Sequence, residues 1–332
     1  MAILVTGGAG YIGAHVVRLL RERGDAVVVD DLSTGSAERI GDTPLVELDL
    51  AADEATAKLT ALMHEYGVEA VVHIAAKKQV GESAERPAWY YDQNVGAMAH
   101  LLMAMEAAEV DKLMFSSSAA TYGLPDIPAD ARLTESVDCK PISPYGETKL
   151  ICEWMCRDAQ AAWGLRWAGL RYFNVAGSGW PELGDPAVLN LIPIALQALA
   201  NGDQPKVFGD DYDTPDGTCI RDYVHVLDLA QAHVDTLDYL SRDDRPHEVF
   251  NVGTGVGASV AEVLEQIAVS TGYVVEPPIV ERRLGDPPKL VADVQRIKST
   301  LGWSSTKTLA EMVESAWAGW APIHGEPASP PR

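Results

Sequence analysis

The chain has 332 residues, 47% of them hydrophobic, with 28 glycines: enough for one large or two modest domains with a real core, in the composition of an ordinary α/β protein. Its formal net charge of −22 excludes a nucleic-acid surface, because a phosphate backbone needs a positive face. No apolar run approaches the ~20 residues of a membrane span, and the opening Ala2-Ile3-Leu4-Val5 carries no charged n-region or cleavage site, so a cytoplasmic protein without a membrane partner is expected.

Ala2 to Thr6 reads as a β-strand. Gly7-Gly8-Ala9-Gly10-Tyr11-Ile12-Gly13 follows, then an apolar-periodic helix from Ala14 to Arg23. Glycines here permit a tight turn, close approach to a pyrophosphate, and close packing of helix on strand, and the helix N-terminus faces the phosphates. A second strand, Ala26 to Val29, ends in Asp30, 17 residues after Gly13, where an acid can accept from a ribose 2′-hydroxyl. Like charge at Asp30 and Asp31 disfavours a 2′-phosphate, so the expected cofactor is NAD rather than NADP; Asp31 also reads as a solvated loop acid.

Leu45 to Leu48 reads as a third strand, ending at Asp49-Leu50, and Glu54 to Tyr66 as a helix. Ala70 to Ile74 is a fourth strand, and the small Ala75 and Ala76 after it let a cofactor lie close. Lys78 can reach its phosphates or ribose, or stay solvated. His73, in an apolar strand, reads as a satisfied core histidine. Trp89 to Glu109 is expected to be one helix, within which Asn94 needs a polar partner. Lys112 to Phe115 is a fifth strand running into Ser116-Ser117-Ser118, at the carboxyl end where such sheets bind ligands. Ser118 there can bond a substrate hydroxyl, or simply cap its own backbone.

Ser143 is a good N-cap and Pro144 suits the first helical position, so a helix from there puts Tyr145 and Lys149 on one face. A free tyrosine titrates near pH ~10, and bringing it down by about three units needs roughly 4 kcal/mol. A nearby ammonium and a second positive group supply that in a partly dry cleft, making the pair a proton acceptor for a sugar or alcohol hydroxyl. Of the four cysteines, Cys152 and Cys156 share a face of this helix and read as buried thiols; Cys139 and Cys219 complete the set, and no metal site is expected.

Leu165 to Tyr172 reads as a sixth strand leading into Phe173-Asn174. A Pro-started helix is expected over Asp185 to Asn201, in a stretch richer in proline and glycine that marks the switch to substrate-binding elements. The helix Val226 to Leu240 and the strand Val249 to Val252 return to the sheet. Arg221 and Arg283 can bond diphosphate oxygens, or be ordinary surface arginines. Helices at Asp293 to Thr300 and Leu309 to Trp320 close the chain, and the tail 321–332, with four prolines in twelve residues, is expected to fray.

TGGAGYIG, FSSSAATYG, SPYGETK and RYFN together resemble the extended short-chain dehydrogenase/reductase superfamily. VGES at Val80 to Ser83, YYDQNV at Tyr90 to Val95, the run Phe208 to Ala230, NVGTGVG at Asn251 to Gly257 and RRLGDPP at Arg282 to Pro288 are similar to its UDP-glucose (UDP-galactose) 4-epimerase branch. The likeness runs from Ile3 to about Trp320. It implies a Rossmann-like doubly wound parallel sheet with a smaller C-terminal α/β substrate domain. The expected division is 1–174 for NAD, with returning elements near 222–252, and 175–320 for the UDP-sugar, interleaved.

The resemblance also implies roles. Tyr145 is the base, Lys149 its modulator and a ribose ligand, and Ser118 the hydroxyl between tyrosine and sugar O4, with the nicotinamide charge as the second positive group. Gly7, Gly10, Tyr11, Ile12, Gly13, Asp30, Asp31, Asp49, Leu50, Ile74, Ala75, Ala76, Lys78, Asn94, Ser116 and Phe173 fall on the cofactor side. Asn174, Asn190, Leu191, Phe208, Arg221, Arg283 and Asp286 fall on the UDP-sugar side. The activity implied is interconversion of UDP-galactose and UDP-glucose through a transient 4-keto sugar. Leu290 stands where related enzymes gate the sugar pocket, and its intermediate size leaves UDP-N-acetylhexosamine or UDP-pentose epimerisation open. A dinucleotide-sensing protein without turnover is the alternative from another class. Ala120 departs from a frequent threonine, and the segment after Asp31 is short. Ser118 is followed by Ala119-Ala120, without the acids a sugar 4,6-dehydratase uses. A homodimer through helices around Ala97 to Ala108 and Lys149 to Ala161 is also implied.

Overall fold

The computed structural model describes residues 2–24, 26–128, 131–245, 247–283 and 286–325. Its strands are β1 (Ala2–Thr6), β2 (Ala26–Asp30), β3 (Leu45–Glu47), β4 (Val68–His73), β5 (Lys112–Ser118), β6 (Arg166–Tyr172), β7 (Asn174–Ala176), β8 (Val207–Phe208), β9 (Ile220–His225), β10 (Val249–Val252), β11 (Gly257–Ser259), β12 (Ile279–Val280) and β13 (Lys289–Leu290). The helices are α1 (Tyr11–Leu20), α2 (Ala55–Tyr66), α3 (Val80–Glu85), α4 (Pro87–Tyr90), α5 (Ala97–Ala107), α6 (Pro144–Trp163), α7 (Leu191–Ala200), α8 (Val226–Leu240), α9 (Val260–Thr271), α10 (Gln295–Leu301), α11 (Leu309–Ala318) and α12 (Trp320–His324).

Seven strands form one parallel sheet in the order β10-β6-β5-β4-β1-β2-β3. Both faces are covered, so the strands read as continuous apolar runs rather than alternating ones. Ile3, Val5 and Val28 join a core with α1 and α8, while Leu4, Val27 and Val29 join one with α2, α5 and α6. Alternate residues of one strand thus feed opposite cores, as the two-residue pleat requires. The order reverses between β1 and β4, and the crevice beyond their carboxyl ends is where such sheets take ligands.

After β6 the chain leaves this sheet. β7 pairs in parallel with β9, which also carries β11 and β13, and a short pair joins β8 to β12. A separate core of Leu196, Tyr223, Ile267 and Trp320 lies beneath. β9 feeds α8, which packs back on the first sheet, so the two sheets are threaded by alternating parts of the chain.

Two expected helices differ. The one drawn from Trp89 to Glu109 is broken: α4 ends at Tyr90, a wide π-type turn covers Tyr91–Gly96, and α5 follows. The wide turn contains Asn94, whose side chain is bonded on three sides, and such turns often mark functional positions. The helix drawn over Asp185 to Asn201 begins only at Leu191. Asp185 instead takes the Ala187 amide in a local turn (3.0 Å), and the proline inside the helix is Pro193, in the first turn, where a missing N–H costs nothing. At the glycine loop, α1 starts at Tyr11 rather than Ala14, with Gly10 as its extended N-cap. Trp320–His324 form α12, while the fraying expected of the tail concerns, from residue 326 on, positions outside the described residues.

Candidate active site

The glycine loop is shaped by close approach. Gly7 has φ +71, and a Cβ on Gly13 would lie 2.0 Å from the Gly7 carbonyl oxygen, so backbone occupies the space any side chain needs. Gly10 meets nothing nearer than 3.4 Å, which leaves the start of α1 open to an anionic group. At the end of β2, buried Asp30 accepts the Ala9 and Leu32 amides at 2.9 Å each. Burial pushes its pKa up and these two bonds oppose the shift. A carboxylate has about four acceptor sites, so two remain for ribose hydroxyls. Tyr11 gives its hydroxyl to the Gly177 carbonyl (2.5 Å), tying this loop to the chain beyond β7; Ile12 packs against the adjoining core.

Asp31 forms a 2.9 Å ion pair with Lys77, whose ammonium also donates to Ser33 (2.8 Å). Burial raises Asp31, but its bonds from Ser33 and Lys77 outweigh that and hold it below the usual carboxylate value. Asn94 clamps the segment after β4: its Oδ1 accepts the Lys77 amide (2.9 Å), and its Nδ2 donates to the Lys77 carbonyl and to Thr148 on α6 (3.0 Å each). The amides of Ile74 and Ala75 both donate to the Thr6 carbonyl, so Ile74, Ala75 and Ala76 lie along the switch point. Lys78 is exposed; burial raises the pKa of Asp185, and the Lys78 charge opposes that rise. Asp49 closes a turn on Ala51, and the Leu50 carbonyl accepts from His100. His73 is the core histidine expected, bonded to Thr6 (2.7 Å) and held neutral by burial.

Ser143 caps α6, accepting the Gly146 amide (3.2 Å), with Pro144 in the first turn. A Cβ on Gly146 would sit 2.5 Å from the Ala120 carbonyl, so the first turn of α6 lies directly on the turn that follows Ser118. Ser118 Oγ accepts the Ala120 amide (3.1 Å), the backbone cap allowed for above, and the contact sets that hydroxyl beside the buried Tyr145 phenol. Tyr145 is buried, and burial raises its pKa while the Ser118 hydroxyl opposes the rise. Lys149 is buried beside it on the same face of α6, donating to the Ser116 carbonyl (2.8 Å). Burial brings its pKa down to about 8, against the opposing pull of Cys152 and Glu153. Among the described residues, then, burial outweighs what opposes it, and the Tyr145 phenol stays above its free value.

On the far side of the crevice, Arg221 is bonded to Asp286 (2.6 Å) and to the Pro287 carbonyl (2.8 Å). Leu290 lies opposite Arg221 in the β13–β9 register, and Asn174 lies opposite Tyr223 in β7–β9. The Arg283 guanidinium stacks 4.0 Å over the Phe208 ring. Asn190 stands at the N-cap of α7 with its side chain making no capping bond, and Leu191 packs on the core that holds Tyr223. Phe173 packs with Tyr122, Leu133 and Leu290, between the two groups.

Several supporting residues escape a reading of the sequence. Lys77 differs from Lys78 by nothing in the local pattern, and only the fold turns it to Asp31. Ser117 donates to buried Glu153 (2.5 Å), which Arg171 grips with two nitrogens (2.9 and 2.5 Å). The spacing of Glu153, four residues after Lys149, is the signal that could have found it.

The residues present fit a dinucleotide: a glycine loop with no room for side chains, a helix start facing outward, and a buried acid with spare acceptor capacity. A family model described as the NAD dependent epimerase/dehydratase family matches residues 3–253. The UDP-glucose 4-epimerase of Corynebacterium glutamicum is 42% identical, covering 96% of this chain and 95% of its own length. That of Azospirillum brasilense is 47% identical, over 91% and 86%. Among solved structures, the UDP-glucose 4-epimerase of Brucella ovis in complex with NAD is 42% identical, with a TM-score of 0.90 and 98% of each chain covered. The Bifidobacterium longum UDP-glucose 4-epimerase in complex with NAD+ and UDP is 34% identical, with a TM-score of 0.87, over 98% and 99%.

Proposed function

This chain belongs to the NAD dependent epimerase/dehydratase family, and on that footing we propose that it is an isomerase, an NAD-dependent UDP-glucose 4-epimerase interconverting UDP-galactose and UDP-glucose. The observation that carries the reading is the assembly at the end of β5: buried Tyr145 beside the Ser118 hydroxyl, with the Lys149 ammonium held at the Ser116 carbonyl (2.8 Å).

NAD, when bound, supplies the acceptor that takes hydride from sugar C4 and returns it. The chain's residues handle the proton. Ser118 passes the O4 proton to Tyr145, and the same pair returns it to O4 of a 4-keto sugar that has turned in the pocket to present the opposite face of C4. Lys149, fixed by its backbone acceptor, keeps a positive charge on the Tyr145 side of the site. Gly7, Gly10, Gly13, Asp30 and the Ala75–Lys78 segment hold the dinucleotide; Arg221, Arg283 and Phe208 hold the UDP part.

The domain division after residue 174 is part of this proposal, supported by the change of sheet between β6 and β7. So are a cytoplasmic location and a homodimer. No helix among the described residues is long and apolar enough to cross a membrane. The expected dimer helices α5 and α6 leave Met103 and Trp154 about half exposed, at 48% and 46%; light scattering at twice the chain mass supports the dimer, and a monomer removes it.

The test is incubation of the purified protein with UDP-galactose and no added reductant. UDP-glucose should accumulate to equilibrium. NAD-loaded protein that converts no nucleotide sugar would leave a dinucleotide sensor as the reading, and faster turnover of UDP-GlcNAc than of UDP-glucose would move the substrate class.

A further inference from the structure

The three serines at the end of β5 are each held by a different neighbour. Ser118 accepts the Ala120 amide, Ser117 bonds Glu153, and Ser116 bonds His233. The last of these reaches across the sheet. His233 lies on α8, whose residues pack in the core with α1, whereas Lys149 lies on α6, on the face shared with α2 and α5.

Two hydrogen bonds through Ser116 join them, and a third, within α8, sets the His233 tautomer. His233 Nδ1 donates to the Leu229 carbonyl (2.8 Å), since a carbonyl can only accept. Burial keeps the ring neutral, with its pKa down to about 4, so Nε2 carries a lone pair and accepts the Ser116 hydroxyl (2.8 Å). The Ser116 carbonyl then accepts the Lys149 ammonium (2.8 Å). A residue whose own hydroxyl and carbonyl are both engaged has little freedom to rotate at the strand end, and the direction of that carbonyl sets where the ammonium rests.

We propose that His233 is a positioning residue for the epimerase reaction, fixing the Ser116 peptide and through it the Lys149 ammonium from the opposite face of the sheet. The proposal rests on the function assigned above. The charged and titratable groups around the chain of bonds are Cys152 and Glu153 on α6, His73 on β4, Tyr145, and Tyr172 on β6, whose ring lies 6.4 Å from that of His233. All belong to the elements flanking Ser116, so a disturbed Ser116 is read first at Lys149 and Tyr145.

The test uses the NAD-loaded protein and two replacements. His233→Phe keeps a ring and removes the acceptor; His233→Gln returns an acceptor near the Nε2 position. For His233→Phe, kcat should fall about 10-fold with KM for UDP-galactose within about twofold, because a charge-assisted bond loosely held costs on the order of 1.4 kcal/mol. The acid limb of the pH–kcat profile should move to higher pH, since a less fixed ammonium favours the phenolate less. His233→Gln should recover both kcat and the profile. If His233→Phe does not fold, Ser116→Ala removes the same bond from its other end and should show the same displaced profile. A profile superimposable on that of the parent protein in folded His233→Phe or Ser116→Ala, with or without a lowered Tm, overturns the proposal. Displacement in both replacements, unrelieved by Gln, overturns it too, because the acceptor would then be irrelevant. Absence of any epimerase activity in the parent protein strikes the functional reading instead.

Discussion

The two walls of the crevice are held in different ways. On the wall formed by β1, β2, β4, β5 and α6, the polar groups are fixed by backbone: Asp30 by two amides, Asn94 by the Lys77 peptide, Lys149 by the Ser116 carbonyl. On the wall formed by β9, β13 and the segment around Arg283, the candidate ligands are held by one another. Arg221 is engaged by Asp286, and Arg283 lies on Phe208. The first wall needs no rearrangement to work. On the roles proposed for Arg221, Arg283 and Phe208, the second exchanges an internal partner for a diphosphate or a uracil ring. A cofactor retained over many turnovers suits a preset wall; a substrate that must leave after each one suits a wall whose groups have somewhere to return.

The largest expected effect tests the preset wall. Tyr145→Phe removes the proton acceptor and leaves the ring, so kcat should fall about 10²- to 10⁴-fold while bound NAD, read by absorbance or after denaturation, stays stoichiometric. Turnover close to that of the parent protein would show that another group accepts the proton. Next comes the exchanging wall. Arg221→Leu should raise KM for UDP-galactose about 10- to 100-fold, the value of one or two hydrogen bonds to a charged group, with kcat changed much less. If kcat falls as much as kcat/KM while KM stays fixed, Arg221 acts on the reacting sugar, and the contrast between the walls fails.

The two walls also differ in how much of them a sequence reveals. The preset wall is built on local rules: a glycine loop between strand and helix, an acid at a fixed distance, a Ser-Pro helix start with tyrosine and lysine one turn apart. Each is decided within some twenty residues, and each sits where those rules put it. What the rules leave out is whatever a distant segment supplies. Asn94 breaks its own helix because Lys77 and Thr148 engage it, and no periodicity announces that. The start of α7 slips to Leu191 because the Asp185 side chain takes a backbone amide that a helix would have left free. Arg221 meets Asp286 across 65 positions, through a strand pairing only the fold creates. The charge state of Tyr145 is the subtlest case: a lysine one turn away suggests an acidified phenol, but burial dominates and raises it.

Burial of neutral groups gives a third prediction. His15, His225 and His233 have pKa values lowered to about 4, and His73 to about 3, with desolvation the leading cause in each. Between those values and an unfolded value near 6.5, the unfolded chain binds more protons, so stability rises with pH across that window. The contribution is complete above pH ~6.5 and is lost as pH falls toward 4. Tm measured by calorimetry should therefore decline already from pH ~6.5 downward, before the carboxylates titrate. Three of the four, His15, His73 and His233, lie on α1, β4 and α8 around the first sheet, so a Tm flat between pH 6.5 and 4.5 would mean that this layer opens to water more readily than its packing indicates.

The smallest effect concerns Asp31. Its neighbour Asp30 is buried and bonded on both oxygens, whereas Asp31 is half-buried and its charge is already matched by Lys77. A pair of that exposure contributes about 0–1 kcal/mol. Discrimination against a 2′-phosphate should accordingly rest on Asp30. Asp31→Asn should change NAD affinity by less than about fivefold in a fluorescence titration of apoprotein, and should improve NADP binding slightly, because the Lys77 ammonium loses its partner. Asp30→Asn should cost NAD about tenfold or more, since it removes an acceptor that backbone bonds hold in place. Equal losses in the two variants would place the ribose against Asp31 instead, and the Lys77 pair would then have to open each time a cofactor enters. That would make this corner of the preset wall behave like the other one.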